Sequence, residues 1–263
     1  MVIEVAGILE KAGVKFAIIT RGYGSSSKEK SLLVKKDHTW KKIGDEVKMI
    51  SNEFPDIDIF KGSNRIKSII SSMKRGNKVA ILDDGFQSAG IQKNLKIMLI
   101  NPDQNYYYLR NFKFMAKNED IVLYYNGGRS GNPKHEILNR GDRGKYSFEF
   151  SSFQTPDGLP ADPGELPVFG FSALGDNRRF ESDLTSLNLK GFSGFRDHHI
   201  FSSNDLKILK EKMKSSGAEF LVCTHKDFVK ITDIIEDGFP LIYIKNKIIS
   251  DLDLKKHILS IIE

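Results

Sequence analysis

Short apolar runs alternate with amphipathic stretches along most of this chain. Val2, Val5, Ala6 and Leu9 recur at helical spacing and Gly13 supplies a stop, so a helix is predicted to start almost at residue 1. Val14 to Thr20 follows as a strand, and Arg21-Gly22-Tyr23-Gly24 leaves it as a turn with a cation and an aromatic ring. Asp45 and Glu46 open a helix with Val47 and Ile50 on its apolar side; acids suit a helix start, where backbone N–H groups are free. Ile57 to Phe60 reads as a strand, Arg65 to Met73 as a helix, and Val79 to Leu82 as a strand covered on both faces. Leu95 to Ile100, closed by Asn101-Pro102, and Ile121 to Tyr125 read as two further strands. This β-α alternation predicts an α/β fold.

Between Asn126 and Gly164 the pattern gives way to glycines and prolines, the mark of a connector. Tyr146, Phe148 and Phe150 alternate with polar residues inside it, as in one strand of a small ribbon. Alternation then resumes. Pro167 to Ser172 is a predicted strand leading into Leu174 to Phe180, where a glycine turn meets a helix start carrying Arg178 and Arg179. Ser202 with Asp205 three residues on has the form of a capping box, and Leu206, Leu209 and Met213 give the helix behind it a buried stripe. Strands at Phe220 to Cys223 and Leu241 to Ile244, and a helix from about Leu252, complete the second half.

Carboxylates at strand ends are the chemistry that stands out. Val79 to Leu82 stops abruptly at Asp83-Asp84-Gly85, and the ligand crevice of an open α/β sheet lies beyond the carboxyl ends of its strands. Magnesium prefers oxygen ligands and takes one or two carboxylates with water and phosphate. An acidic turn after a buried strand explains the same residues, and the local sequence does not choose between the two. Asp197-His198-His199 admits a structural role or a catalytic one, since a histidine can orient a carboxylate. Tyr106 to Tyr108 beside Arg110 can pack on an apolar ligand while the guanidinium grips a phosphate, or simply lie on the surface. Arg178 and Arg179 can hold an anion at a helix start, and Lys226 with Asp227 can form a local ion pair.

Composition narrows the classes. The 263 residues, 40% of them hydrophobic, suffice for one large domain or two smaller ones. A formal charge of +6 suits phosphate-bearing ligands or an anionic surface. No basic stripe interleaved with aromatics is concentrated anywhere, which argues against nucleic acid as a partner. A single cysteine, Cys223, rules out an internal disulfide, and no run of eighteen apolar residues is present to span a membrane.

Taken in order, Arg21-Gly22-Tyr23-Gly24, Gly44-Asp45-Glu46, Asp83-Asp84-Gly85-Phe86-Gln87, Leu109-Arg110, Asp197-His198-His199-x-Phe201 and Thr224-x-Lys226-Asp227-x-Val229-Lys230 resemble the tetraacyldisaccharide 4'-kinase family of lipid A biosynthesis. The resemblance implies ATP-dependent phosphorylation of the 4'-hydroxyl of a tetraacylated glucosamine disaccharide 1-phosphate, giving lipid IVA. It implies ATP and Mg2+ as cofactors, and peripheral attachment at the cytoplasmic face of the inner membrane of Gram-negative bacteria. The implied fold is α/β: a P-loop NTPase-like domain over residues 1–145, a β-ribbon connector over 146–165 and a smaller α/β domain over 166–263. Carried across, Asp45 is the catalytic base, His198 its paired histidine with His199 the neighbouring candidate, and Arg110 a steadying cation. Asp83 and Asp84 are Walker B-like magnesium carboxylates, with Glu46 near metal and nucleotide and Gln87 near the nucleotide.

The departures are specific. Val47 stands where the family usually has proline, Ser88 where it has histidine and His225 where it has an acid. The family's glycine-rich Walker A turn, ending in Lys-Thr, belongs just before the first helix together with a strand and a hydrophobic helix, and these 263 residues hold none of them. The expectation is weak ATP binding and little turnover, with a shortened, non-catalytic lipid-binding or regulatory protein of the same fold as the alternative.

Overall fold

A computed structural model describes residues 1–86, 88, 90–101, 121–126 and 141–262, whose strands form two sheets. The first contains β1 (Phe16–Thr20), β2 (Leu32–Leu33), β3 (Asp58–Lys61) and β4 (Val79–Leu82), in the order β2-β3-β1-β4. β1 lies parallel to β3 and β4, whereas β2 is antiparallel to β3. All five residues of β1 are buried because helices cover both faces. Side chains alternate across a strand, so Phe16 and Ile18 enter a cluster with Ala6 and Leu9 of α1 (Val2–Lys11). Ala17 and Ile19 pack on the opposite face with Phe60 and with Ile69 of α4 (Arg65–Lys74). Between β2 and β3 the chain forms α2 (Trp40–Ile43) and α3 (Asp45–Glu53), joined through Gly44.

The second sheet holds eight strands: β5 (Ile97–Ile100), β6 (Ile121–Tyr125), β7 (Asp142–Gln154), β8 (Pro160–Ala161), β9 (Val168–Ser172), β10 (Leu189–Gly194), β11 (Phe220–Thr224) and β12 (Leu241–Ser250). Its order is β10-β9-β11-β12-β7-β6-β5, with β8 paired to β7 off that path. Neighbours are parallel except along the β7–β12 seam and at β8. The sheet is thus two parallel blocks fused along an antiparallel ribbon. α5 (Asn177–Asp183), α6 (Ser203–Ser215), α7 (His225–Ile231) and α8 (Leu254–Leu259) complete the fold. The Ser202–Asp205 capping box opens α6 as predicted, each side chain meeting the other residue's backbone N–H.

The ribbon is longer than the pattern suggests. β7 starts at Asp142, where it pairs with β6, and β12 runs on to Ser250 paired with β7, so neither extension needs an apolar run. β10 was not visible as a strand: Leu-Lys-Gly-Phe-Ser-Gly has two glycines and weak strand propensity, and it is held by pairing with β9. The sheets also divide the chain differently from its connector. β5 and β6, which precede residue 145, pair through β7 into the sheet that carries residues 166–263, and the predicted connector at 146–165 contains most of β7. α1 bridges the two sheets: it packs on β1 and on α8, and Glu4 Oε1 accepts a hydrogen bond from Ile248 N at 3.0 Å. Among the described residues, no helix is long and apolar enough to cross a membrane.

α7 is wedged between α3 and β12, and its first residue reports on that burial. The His225 ring stacks on Tyr243 at 5.1 Å, and Tyr243 stacks on Phe228 at 4.1 Å. Burial first, then the Lys245 cation, pushes the pKa of His225 down from 6.5 to about 4 against the pull of Glu53. Above the unfolded value both states are neutral and the full stability is present. As the pH falls from about 6.5 to about 4 the unfolded chain takes up a proton that the folded chain refuses, and stability is lost. The loss is on the order of 3 kcal/mol. Urea unfolding at pH 7 and pH 4 is expected to show that extra loss in the parent chain and not in His225→Gln; equal losses would contradict a neutral, buried ring.

Candidate active site

Because β1, β3 and β4 are parallel, their carboxyl ends emerge along one edge and bring Thr20, Lys61 and the Asp83-Asp84 turn together. Thr20 Oγ1 donates to Asp83 Oδ2 at 2.8 Å, fixing that carboxylate against the neighbouring strand. Arg65, the first residue of α4, is buried beneath the turn. Its guanidinium donates to the main-chain oxygens of Asp83 and Asp84 and to Ser88 Oγ. Among the described residues its buried Nε has no hydrogen-bond partner. Burial raises the pKa of Asp83, and the negative charges of Asp84 and Glu46 add to that effect, while the Thr20 hydrogen bond and the Arg65 charge oppose it.

These acids fit magnesium in kind. Asp83, Asp84 and Glu46 are hard oxygen donors whose mutual repulsion a divalent cation would relieve. Among the described residues no three acids or histidines form a ready-made metal cage.

Asp45 stands beside this edge as the first residue of α3, 6% exposed. Gly44, at φ 101°, turns the chain from α2 into α3; a Cβ there would lie 2.8 Å from the Tyr23 carbonyl, so the Arg21–Gly24 turn passes close by only over glycine. Glu46 N donates to Asp45 Oδ1 at 2.9 Å. Asp45 Oδ2 faces His198 Nδ1 at 3.3 Å, a contact between residues 153 positions apart. His198 comes from the loop between β10 and α6; its Nε2 lies 3.9 Å from Asp197 Oδ2 and its ring 5.4 Å from the ring of Tyr23. Lys226 Nζ closes the group, 2.9 Å from Glu46 Oε1 and 4.0 Å from Asp45 Oδ2. Burial works against the charged ammonium, but Glu46, with Asp45 and Asp197, outweighs it and the pKa of Lys226 is raised. At the far end of α3, Lys245 pairs with Glu53 at 2.6 Å, so the helix is tied to the second sheet at both ends.

Several expectations need correcting. Lys226 and Asp227 do not form a local pair: Lys226 reaches α3, and Asp227 pairs with Lys230 at 2.7 Å, both wholly buried. His199 turns away from Asp45 to meet Asp205 at 3.3 Å and stacks on Phe195. Arg179 is occupied by an aromatic cluster, 4.3 Å from the Phe148 ring and 5.3 Å from that of Tyr125, on a helix of only seven residues. Cys223 is fully buried in β11, as its apolar run predicts, and burial pushes its thiol pKa up. Arg110, Gln87 and Tyr106 to Tyr108 lie outside the described residues. Sequence reasoning missed Thr20 and Arg65. Arg65 carried a usable signal, since it follows the strand, glycine and turn of Phe60 to Asn64 as a cation at a helix start.

A buried carboxylate with a histidine beside it, next to a strand end carrying two more acids, has groups of the kind that phosphoryl transfer to an alcohol uses. The profile described as tetraacyldisaccharide-1-P 4'-kinase matches residues 1–263. The tetraacyldisaccharide 4'-kinase of Elusimicrobium minutum is 30% identical over 283 aligned residues, covering 94% of this chain and 74% of that protein. That of Syntrophus aciditrophicus is 26% identical, covering 93% and 74%. The fold matches the crystal structure of LpxK from Aquifex aeolicus in complex with ATP at a TM-score of 0.70 and 20% identity, over 100% of this chain and 83% of that one. The chain belongs to the tetraacyldisaccharide-1-P 4'-kinase family, whose members are kinases of lipid A biosynthesis.

Among the described residues, Asp84 (φ 47°) and His198 (φ 56°) are the non-glycine residues with left-handed backbones, and both lie in this site. For most side chains that conformation costs about 1 kcal/mol or more relative to glycine. His198→Gly is therefore expected to unfold in urea at higher free energy than His198→Ala by about 1 kcal/mol. Equal stabilities would show that the backbone at 198 is not held left-handed.

Proposed function

We propose that Asp45 is the base of the 4'-kinase reaction and that His198 holds it in place. The substrate is an acylated glucosamine disaccharide 1-phosphate, and ATP is the phosphoryl donor. Asp45 Oδ2, turned towards His198 Nδ1, takes the proton of the 4'-hydroxyl as its oxygen attacks the γ-phosphorus of ATP and the ADP oxygen departs. The 3.3 Å contact orients the acceptor oxygen and keeps the carboxylate from rotating away. Phosphoryl transfer needs positioning and charge neutralisation more than covalent help. Magnesium, when bound, supplies that neutralisation between the phosphates, and Asp83, Asp84 and Glu46 would hold it. Arg65 keeps the Asp83-Asp84 turn rigid from below. Arg110 and Gln87 complete the proposal on the phosphate and nucleotide side.

The observation that carries this reading is the Asp45–His198 contact beside the acidic strand end, formed from opposite halves of the sequence. The same reading takes residues 1–145 as P-loop-kinase-like, with the β7–β12 ribbon leading to the second domain. It also takes the protein to work peripherally on the cytoplasmic face of the inner membrane, where its acylated substrate resides.

The assay follows label from [γ-32P]ATP to tetraacyldisaccharide 1-phosphate in detergent micelles. Enzyme is in excess over lipid, because no glycine-rich loop ending in Lys-Thr lies in the sequence. Magnesium-dependent formation of the 4'-phosphate is expected, and Asp45→Asn is expected to slow it about 100-fold or more. Lipid binding with no transfer by the parent chain would favour the non-catalytic alternative; transfer undiminished in Asp45→Asn would remove Asp45 from its role.

A further inference from the structure

Beyond the Glu46 N–H that Asp45 Oδ1 accepts, the two polar neighbours of the Asp45 side chain come from the second-sheet half, whereas Asp45 itself belongs to the first. His198 supplies one and Lys226 the other. Lys226 differs from an ordinary surface cation in its footing. Its side chain is 16% exposed, against 53% for Glu46, so water competes little for the ammonium. It sits in the first turn of α7, and that turn is anchored from below: Thr224 Oγ1 and Ala173 N both donate to Asp227 Oδ2, and Asp227 pairs with Lys230 in full burial. A charge on so rigid a base can fix what it touches, whereas a mobile surface lysine cannot.

We propose that Lys226 is a positioning residue for the transfer step: by gripping Glu46 and lying against Asp45 it sets the start of α3 relative to His198, and so aims the base at the acceptor hydroxyl. This rests on the reading of Asp45 as the base. The contact explains why the clamp is built from a lysine on α7. A neutral side chain there would leave Glu46 free to turn and Asp45 facing His198 alone.

Lys226→Met, Lys226→Arg and Asp45→Asn, singly and in pairs, test the idea on the full chain. Lys226→Met is expected to lower kcat by about 30-fold while leaving KM for ATP and for the lipid within about threefold; Lys226→Arg, which keeps the charge, recovers most of the rate. In the Asp45→Asn background the loss on adding Lys226→Met is expected to vanish, because the lysine acts through that carboxylate. Side-chain 15N spectra of the histidines, with the His198 signal identified by its absence in His198→Asn, give a readout that needs no turnover. Lys226→Met is expected to move the His198 Nδ1 resonance and to leave that of His257 in place.

An unmoved His198 signal, an equal loss in the Met and Arg variants, or an undiminished loss in the Asp45→Asn background would overturn the proposal. If the parent chain transfers no phosphate, the kinase reading fails by itself, and the nitrogen spectra still decide whether Lys226 sets the Asp45–His198 contact.

Discussion

Asp45 meets Lys226 because α3, which follows the first sheet's edge strand, is pressed against α7, which follows β11 in the second. That packing is the condition for the site. Ion pairs at both ends of α3 hold it, one through Glu46 and one through Glu53, and the second sheet provides the cation each time. Between them Val47 and Ile50 press into the main core, so α3 is held by apolar burial along its length and by charge at its tips.

Around that contact the electrostatics are unevenly balanced. Asp83, Asp84, Asp45, Glu46 and Asp197 gather at the strand ends, with Arg65 and Lys226 among the cations drawn in beside them. Arg65 spends its guanidinium on main-chain oxygens and not on the carboxylates, so it secures the shape of the turn while leaving much of its negative charge uncancelled. Lys226 cancels charge on the Asp45 side only. On the Asp83-Asp84 side a divalent cation and the phosphates it carries would add to the balance.

Elements whose residues pack against a core were legible, since burial leaves a period in the sequence. β1, β4 and α6 have apolar runs or stripes that match their observed positions. β10 and the outer halves of β7 and β12 were not legible as strands, because pairing with a neighbour holds them. The site divides in the same way. Carboxylates at Asp83 and Asp84 announce themselves by ending an apolar strand, but nothing local to Lys226 reveals that its partner lies 180 residues earlier. The resemblance put His198 ahead of His199, but the separation of their rings needed coordinates: with a left-handed backbone at 198, the two rings face different acids.

The largest apolar cluster takes members from both sheets: Phe16, Ile18 and Ile59 from the first, Ile121, Leu123 and Tyr146 from the second, with α1 and α8 closing over them. The first sheet therefore shares its interior with the second, which also has a cluster of its own around Phe171, Leu209 and Leu221. Pulling them apart would strand the apolar flank of each in water, and α1 would lose its footing on both. In the vocabulary of folding units, the shared cluster couples the first sheet's unfolding to that of the second, and the loops that carry His198 and Tyr23 lie outside it.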